Sequence, residues 1–125
     1  MVAERSFPQT YNVQSVGDCL GPVLAGSMWS VSGIEAPRLG DIVALWLVPG
    51  RFSDGTEGDC IGHRVARGEA CVMKILLTQD DASITVMMLN PMATATIQRT
   101  DIVAMHRAFA VRTPDGDQRL LRVAA

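Results

Sequence analysis

The segment Asp41–Val48 (DIVALWLV) constrains this chain more than any other stretch. Its near-continuous apolar run leaves no side for water, so a strand formed there has to be covered on both faces. The longest mostly apolar run, Ile42 to Pro49, is far shorter than the about 20 residues a helix needs to cross a bilayer. A central buried strand in a single compact domain is therefore expected, spanning residues 1–125. Hydrophobic residues make up 48% of the 125 and charged residues 19%, which is enough apolar material for such a core and excludes global disorder.

The rest of the chain reads as short apolar runs broken by Gly, Pro and Asp, a mainly β pattern with little helix. Further strands are expected at Tyr11–Val16, Met28–Ile34, Ala70–Leu77, Ser83–Leu89, Thr94–Gln98 and Ile102–Arg112, with a short last one at Arg119–Val123. Ala70–Leu77 and Ser83–Leu89 form a hairpin around Gln79-Asp80-Asp81, and Asn90-Pro91 ends the second arm because proline cannot donate to a ladder. Pro49–Glu69 is polar and Gly-rich without a clean period, and reads as a long loop. Helix-period stretches are scarce; Leu24–Trp29 is long enough for one turn, and no helix-turn-helix is present to read DNA.

Charge and cysteine content narrow the function classes. The formal net charge is -2, whereas a general nucleic-acid binder carries a basic excess, so direct nucleic-acid binding is not expected. Three cysteines (19, 60 and 71) without regular spacing do not form a disulfide framework, and no signal-peptide pattern opens the chain, which together point to a reducing, cytoplasmic setting. Cys60, His63 and Cys71 lack both a fourth ligand and the tight pairing of a zinc site, so no metal and no cofactor is expected. His63 reads as an exposed loop residue, His106 as a strand residue capping a sheet edge, and Met87, Met88, Met92 and Met105 as ordinary core filling.

One constellation, spread over the chain, carries chemistry. Val16-Gly17-Asp18-Cys19-Leu20-Gly21-Pro22 is followed by Leu39-Gly40-Asp41-Ile42-Val43-Ala44-Leu45, then Val72-Met73-Lys74-Ile75-Leu76, Leu89-Asn90-Pro91 and Asp101-Ile102-Val103-Ala104-Met105-His106-Arg107. In this order the segments resemble the LexA-type self-cleaving serine peptidases, whose core is shared with bacterial signal peptidases. The resemblance covers about Val13 to Val111 and looks closest to small stand-alone members of phage and phage-derived regions that lack the DNA-binding domain. It implies a LexA/signal-peptidase-like fold of twisted antiparallel strands. In that family Ser is the nucleophile and Lys the general base. Lys74, the only lysine of the chain, matches the base, and Cys19 stands at the nucleophile position. Gly26-Ser27-Met28 offers a second alignment in which Ser27 is the nucleophile, at a spacing to Lys74 nearer the family's; the Cys19 segment matches more positions.

The chemistry so implied has definite requirements. A lysine acts as a base only when neutral, so its ordinary pKa of about 10.4 has to fall, and burial does this. Lys74 lies within ACVMKILL, among apolar residues. A cysteine is intrinsically a better nucleophile than a serine, and the backbone amides of Asp18 and Cys19 in the Gly17 turn are the oxyanion donors expected. Self-cleavage in the family cuts a linker at Ala-Gly or Cys-Gly; the only Ala-Gly here is Ala25-Gly26, inside the expected fold. The reading is therefore a LexA-like module, its peptidase activity lost or altered, that binds a protein partner; the alternative is a peptidase that cuts another protein. The family often pairs through its last strand, which makes a homodimer through residues 102–111 an expectation.

Overall fold

The computed structural model describes residues 7–14, 26–48, 71–89 and 92–121. These residues form one antiparallel sheet of eight strands: β1 (Thr10–Gln14), β2 (Met28–Ser32), β3 (Ile42–Leu47), β4 (Cys71–Gln79), β5 (Ser83–Leu89), β6 (Met92–Gln98), β7 (Ile102–Arg112) and β8 (Gln118–Leu120). The spatial order is β1-β2-β7-β3-β4-β5-β6, with β8 paired to β7 beyond the end of β3. The only helical turn among the described residues is the 3-10 turn Arg99–Asp101. None of their helices is long and apolar enough to cross a membrane.

The mainly β expectation holds, and the apolar run at 41–48 is the reason. Val43, Ala44, Leu45 and Leu47 are all fully buried. Successive side chains of a strand point to opposite faces. Val43, Leu45 and Leu47 therefore enter one core, with Val72, Leu76, Ile84, Val86 and Ile97. Ala44 and the flanking Ile42 enter a second core on the other face, with Trp29, Val31, Met73, Ala108 and Val111. β4 is divided in the same way, Val72 and Leu76 to one side and Met73 and Ile75 to the other.

The entry to β3 is fixed by backbone geometry. Gly40 adopts a left-handed conformation, φ 91°, which a glycine reaches without steric cost. Its N–H donates to the Leu76 carbonyl, and Leu76 N–H donates to the Asp41 carbonyl, clamping the turn to β4. The β4–β5 hairpin forms as the sequence suggests. Asp80 Oδ1 accepts from the backbone N–H groups of Ala82 and Ser83, and those bonds, Ser83 first, hold its carboxyl below the ordinary carboxylate range. The helical turn considered over 24–29 does not form in its described part, since Met28 and Trp29 begin β2. The loop expected at 49–69 lies outside the described residues.

β7 is interior to the sheet. β2 takes one of its edges from Arg107 to Arg112, and β3 and β8 share the other. Among the described strands β1, β6 and the three-residue β8 each pair with a single neighbour.

Truncating the doubly covered strand is expected to be far more costly than trimming the outer face of the hairpin. Leu45→Ala should lower unfolding free energy by about 2–5 kcal/mol, and Thr85→Ala, on a half-exposed face, by under about 0.5 kcal/mol. Urea denaturation followed by circular dichroism measures both; equal losses would contradict the two-core arrangement.

Candidate functional site

Lys74 is 1% exposed, on β4 between Val72 and Leu76 of the first core. Its cross-strand partner is Val43. Val43 is also paired with Arg107 of β7, Arg107 with Ser32 of β2, and Ser32 with Thr10 of β1. Directly paired residues share a face of a sheet. Thr10, Ser32, Arg107, Val43 and Lys74 thus form one lateral row across five strands. Two strand spacings, about 9.5 Å, separate the Lys74 and Arg107 backbones. Both side chains are buried and neither is without a partner.

Arg107 donates from Nη1 to Glu35 Oε2 at 2.8 Å; its side chain is 8% exposed and that of Glu35 54%. Glu35 is held over the row by a local turn, because Ser32 Oγ accepts its backbone N–H at 3.2 Å. Thr10, Ser32, Glu35 and Arg107, with Phe109 and Leu120, line an open groove. The Arg107–Glu35 pair thus lines this groove together with the apolar side chains of Phe109 and Leu120.

Ser27, the alternative nucleophile, is fully buried and directly precedes β2. Met28 pairs with Arg112, at the far end of β7 from the row that holds Lys74. In the sheet order β7 and β3 lie between β2, which Ser27 precedes, and β4, which carries Lys74. Cys19 and the Asp18 and Cys19 amides lie outside the described residues, as do Cys60 and His63. Cys71, half-buried at the start of β4, is paired with Trp46.

The opposite face carries a second polar group, which the sequence reading missed. Trp46 Nε1–H donates to the Tyr11 hydroxyl at 2.8 Å, and that hydroxyl lies 2.6 Å from His106 Nδ1. An indole nitrogen can only donate, so the phenol oxygen accepts from Trp46, and a second hydrogen bond joins the same hydroxyl to His106 Nδ1. The Phe7 ring packs edge-on to His106, centroids 4.6 Å apart, and 5.3 Å from Trp46. His106 was expected to cap a sheet edge. Instead it is paired with Ala44 in mid-sheet, and its hydrogen-bond partner is 95 residues away in sequence. The one available signal was that Tyr and Trp in half-buried strands need polar partners for their O–H and N–H groups.

No family model matches the chain, and no similar curated protein or solved structure was found.

The His106 network has a pH signature. Burial pushes the imidazole pKa below its ordinary value of 6.5. Below pH 6.5 the unfolded chain therefore binds a proton that the folded chain still refuses, so stability falls as the pH drops from 6.5 through the folded-state pKa and is unaffected above 6.5. Protonation makes both ring nitrogens donors, so the Tyr11 hydroxyl has to accept from Nδ1 as well as from Trp46. Thermal melts of wild type and His106→Gln over this range should converge toward acid pH as the wild type loses the larger part of its stability. Parallel curves would mean that His106 does not titrate against folding.

Proposed function

We propose that this chain is a LexA-like peptidase-fold protein, of the stand-alone phage type, that works as an interaction or regulatory module with its peptidase chemistry lost or altered. The observation that carries this reading is the full burial of Ser27, the serine that an unaltered Ser/Lys pair would use, which closes it to a substrate. The groove beside Arg107 gives a protein partner both a charged pair and apolar walls to meet.

A second reading is favoured by one observation, the withdrawal of Lys74 from water. A desolvated amine is what a general base requires. In that reading the Lys74 amine takes the thiol proton of Cys19, the thiolate attacks a peptide carbonyl of another protein, and the proton is returned to the leaving amine.

One pair of measurements separates the two. Wild type and Lys74→Met, both checked for fold by circular dichroism, are incubated with an unfolded protein substrate. Alkylation of Cys19 is followed against pH by mass mapping. The module reading expects no Lys74-dependent cleavage and a Cys19 titration near the ordinary thiol value of about 8.5. Cleavage that disappears in Lys74→Met, with Cys19 reacting well below that pH, would establish the peptidase and overturn the module.

A further inference from the structure

Among the described residues β6 pairs with β5 alone, so it presents a free edge seven residues long. Natural sheets guard such edges with charges, prolines or bulges. The segment Met92–Gln98 (MATATIQ) has no charged residue and no proline, and its pairing to β5 runs without a register shift. Of the other strands with one neighbour, β8 has three residues, and β1 is shorter than β6, follows Pro8 and has Tyr11 committed to Trp46 and His106.

The ladder fixes which backbone groups are free. Arg99 N–H donates to the Ala82 carbonyl, one step beyond the Ser83–Gln98 pair. Inward-bonded residues alternate along an antiparallel strand. Ala93, Ala95 and Ile97 therefore turn their N–H and C=O groups toward β5, and Met92, Thr94, Thr96 and Gln98 turn theirs to the open edge. The side chains alternate as well: Thr94 and Thr96 are exposed, whereas Ile97 is buried and Ala95 packs on the first core.

This edge is complementary to itself. Two copies related by a two-fold axis at Ala95 would set Thr94 against Thr96 of the second copy, twice, and Met92 against Gln98. These are the residues with free backbone groups, so the four pairs would exchange about eight hydrogen bonds. Ala95 would face Ala95, and Ala93 would face Ile97, both on the core side. Facing threonines are favourable cross-strand neighbours, and the fold already uses the arrangement one strand further in, where the Thr85 and Thr96 hydroxyls are 3.2 Å apart. We propose that β6 is a self-association surface, joining two copies of this chain edge to edge, antiparallel, into one continuous sheet. It does not depend on any chemistry at Lys74. The paired edges bury less than the about 800 Å² per partner of a standard interface, so association should be reversible and depend on concentration in the micromolar range.

Sedimentation velocity over a micromolar concentration series tests this, with a designed charge pair as control. Wild type should shift from monomer to dimer as concentration rises. In Thr94→Lys/Thr96→Lys each lysine would face a lysine of the second copy, and the protein should remain monomeric with an unchanged circular dichroism spectrum. Mixing it with Thr94→Glu/Thr96→Glu sets lysine against glutamate and should restore the dimer as a heterodimer. If the lysine pair fails to fold, Thr96→Pro removes one outward N–H while sparing the bonds to β5, and should likewise be monomeric. A wild type that stays monomeric throughout, a dimer that survives the lysines or the proline, or folded charge variants that do not recombine would each overturn the proposal.

Discussion

The fold depends on β3 being covered on both faces. Val43, Leu45 and Leu47 belong to one core and Ile42 and Ala44 to the other, and a slip of one residue would exchange all of them at once. The Gly40 turn and its two hydrogen bonds to Leu76 set where the strand begins relative to β4. Once that register is set, Val43 is fixed between Lys74 and Arg107. The positions of both buried side chains therefore follow from apolar packing, and the polar chemistry inherits the rigidity of the core around it.

How much of this was legible in the sequence differs between neighbouring residues. β3 was readable because covering both faces demands an uninterrupted apolar run. The β4–β5 hairpin was readable because Asp80 caps its own turn. β7 was visible as a strand, but its place inside the sheet was not, since strand order is set by long-range pairing that leaves no local mark. The same gap hid the role of His106. Arg107, its neighbour, points to the opposite face, and nothing in Met105-His106-Arg107 tells which of the two meets Glu35 and which meets Tyr11. Lys74 was legible as a buried amine from its apolar flanks. Its place in the sheet order relative to Ser27 was not, because that depends on β7 being inserted between β2 and β3.

His106 and Arg107 thus serve two polar groups on opposite faces of one strand. The Tyr11–His106–Trp46 network ties β1, β3 and β7 together across the second core's face. The Arg107–Glu35 pair ties β7 to the segment after β2 on the other face. Burying such groups destabilises a fold unless they are paired, and here each of these contacts crosses between elements distant in sequence. The two groups share a backbone, so a shift of β7 that opened the groove at Arg107 would also strain the bond between Tyr11 and His106. Coupling of this kind is what a regulatory module requires, and it needs no bond-breaking chemistry.

The edge at β6 stands apart from all of this. Two strands' spacing, about 9.5 Å, lies between β6 and β4, and the first core continues without interruption from Leu45 and Leu76 through Val86 to Ile97. Thr94 and Thr96 are exposed to water, which screens charge, so an ionisable residue set on the outer face of β6 would leave Lys74 and Arg107 in their present surroundings. A change of register in β6 would be different in kind, because it would withdraw Ile97 and Ala95 from the same core that holds Val43. The chain therefore separates what it can vary from what it cannot: side chains on the outer face of the edge strand are open to change, whereas its inward-facing residues are bound to the packing that sets the interior row.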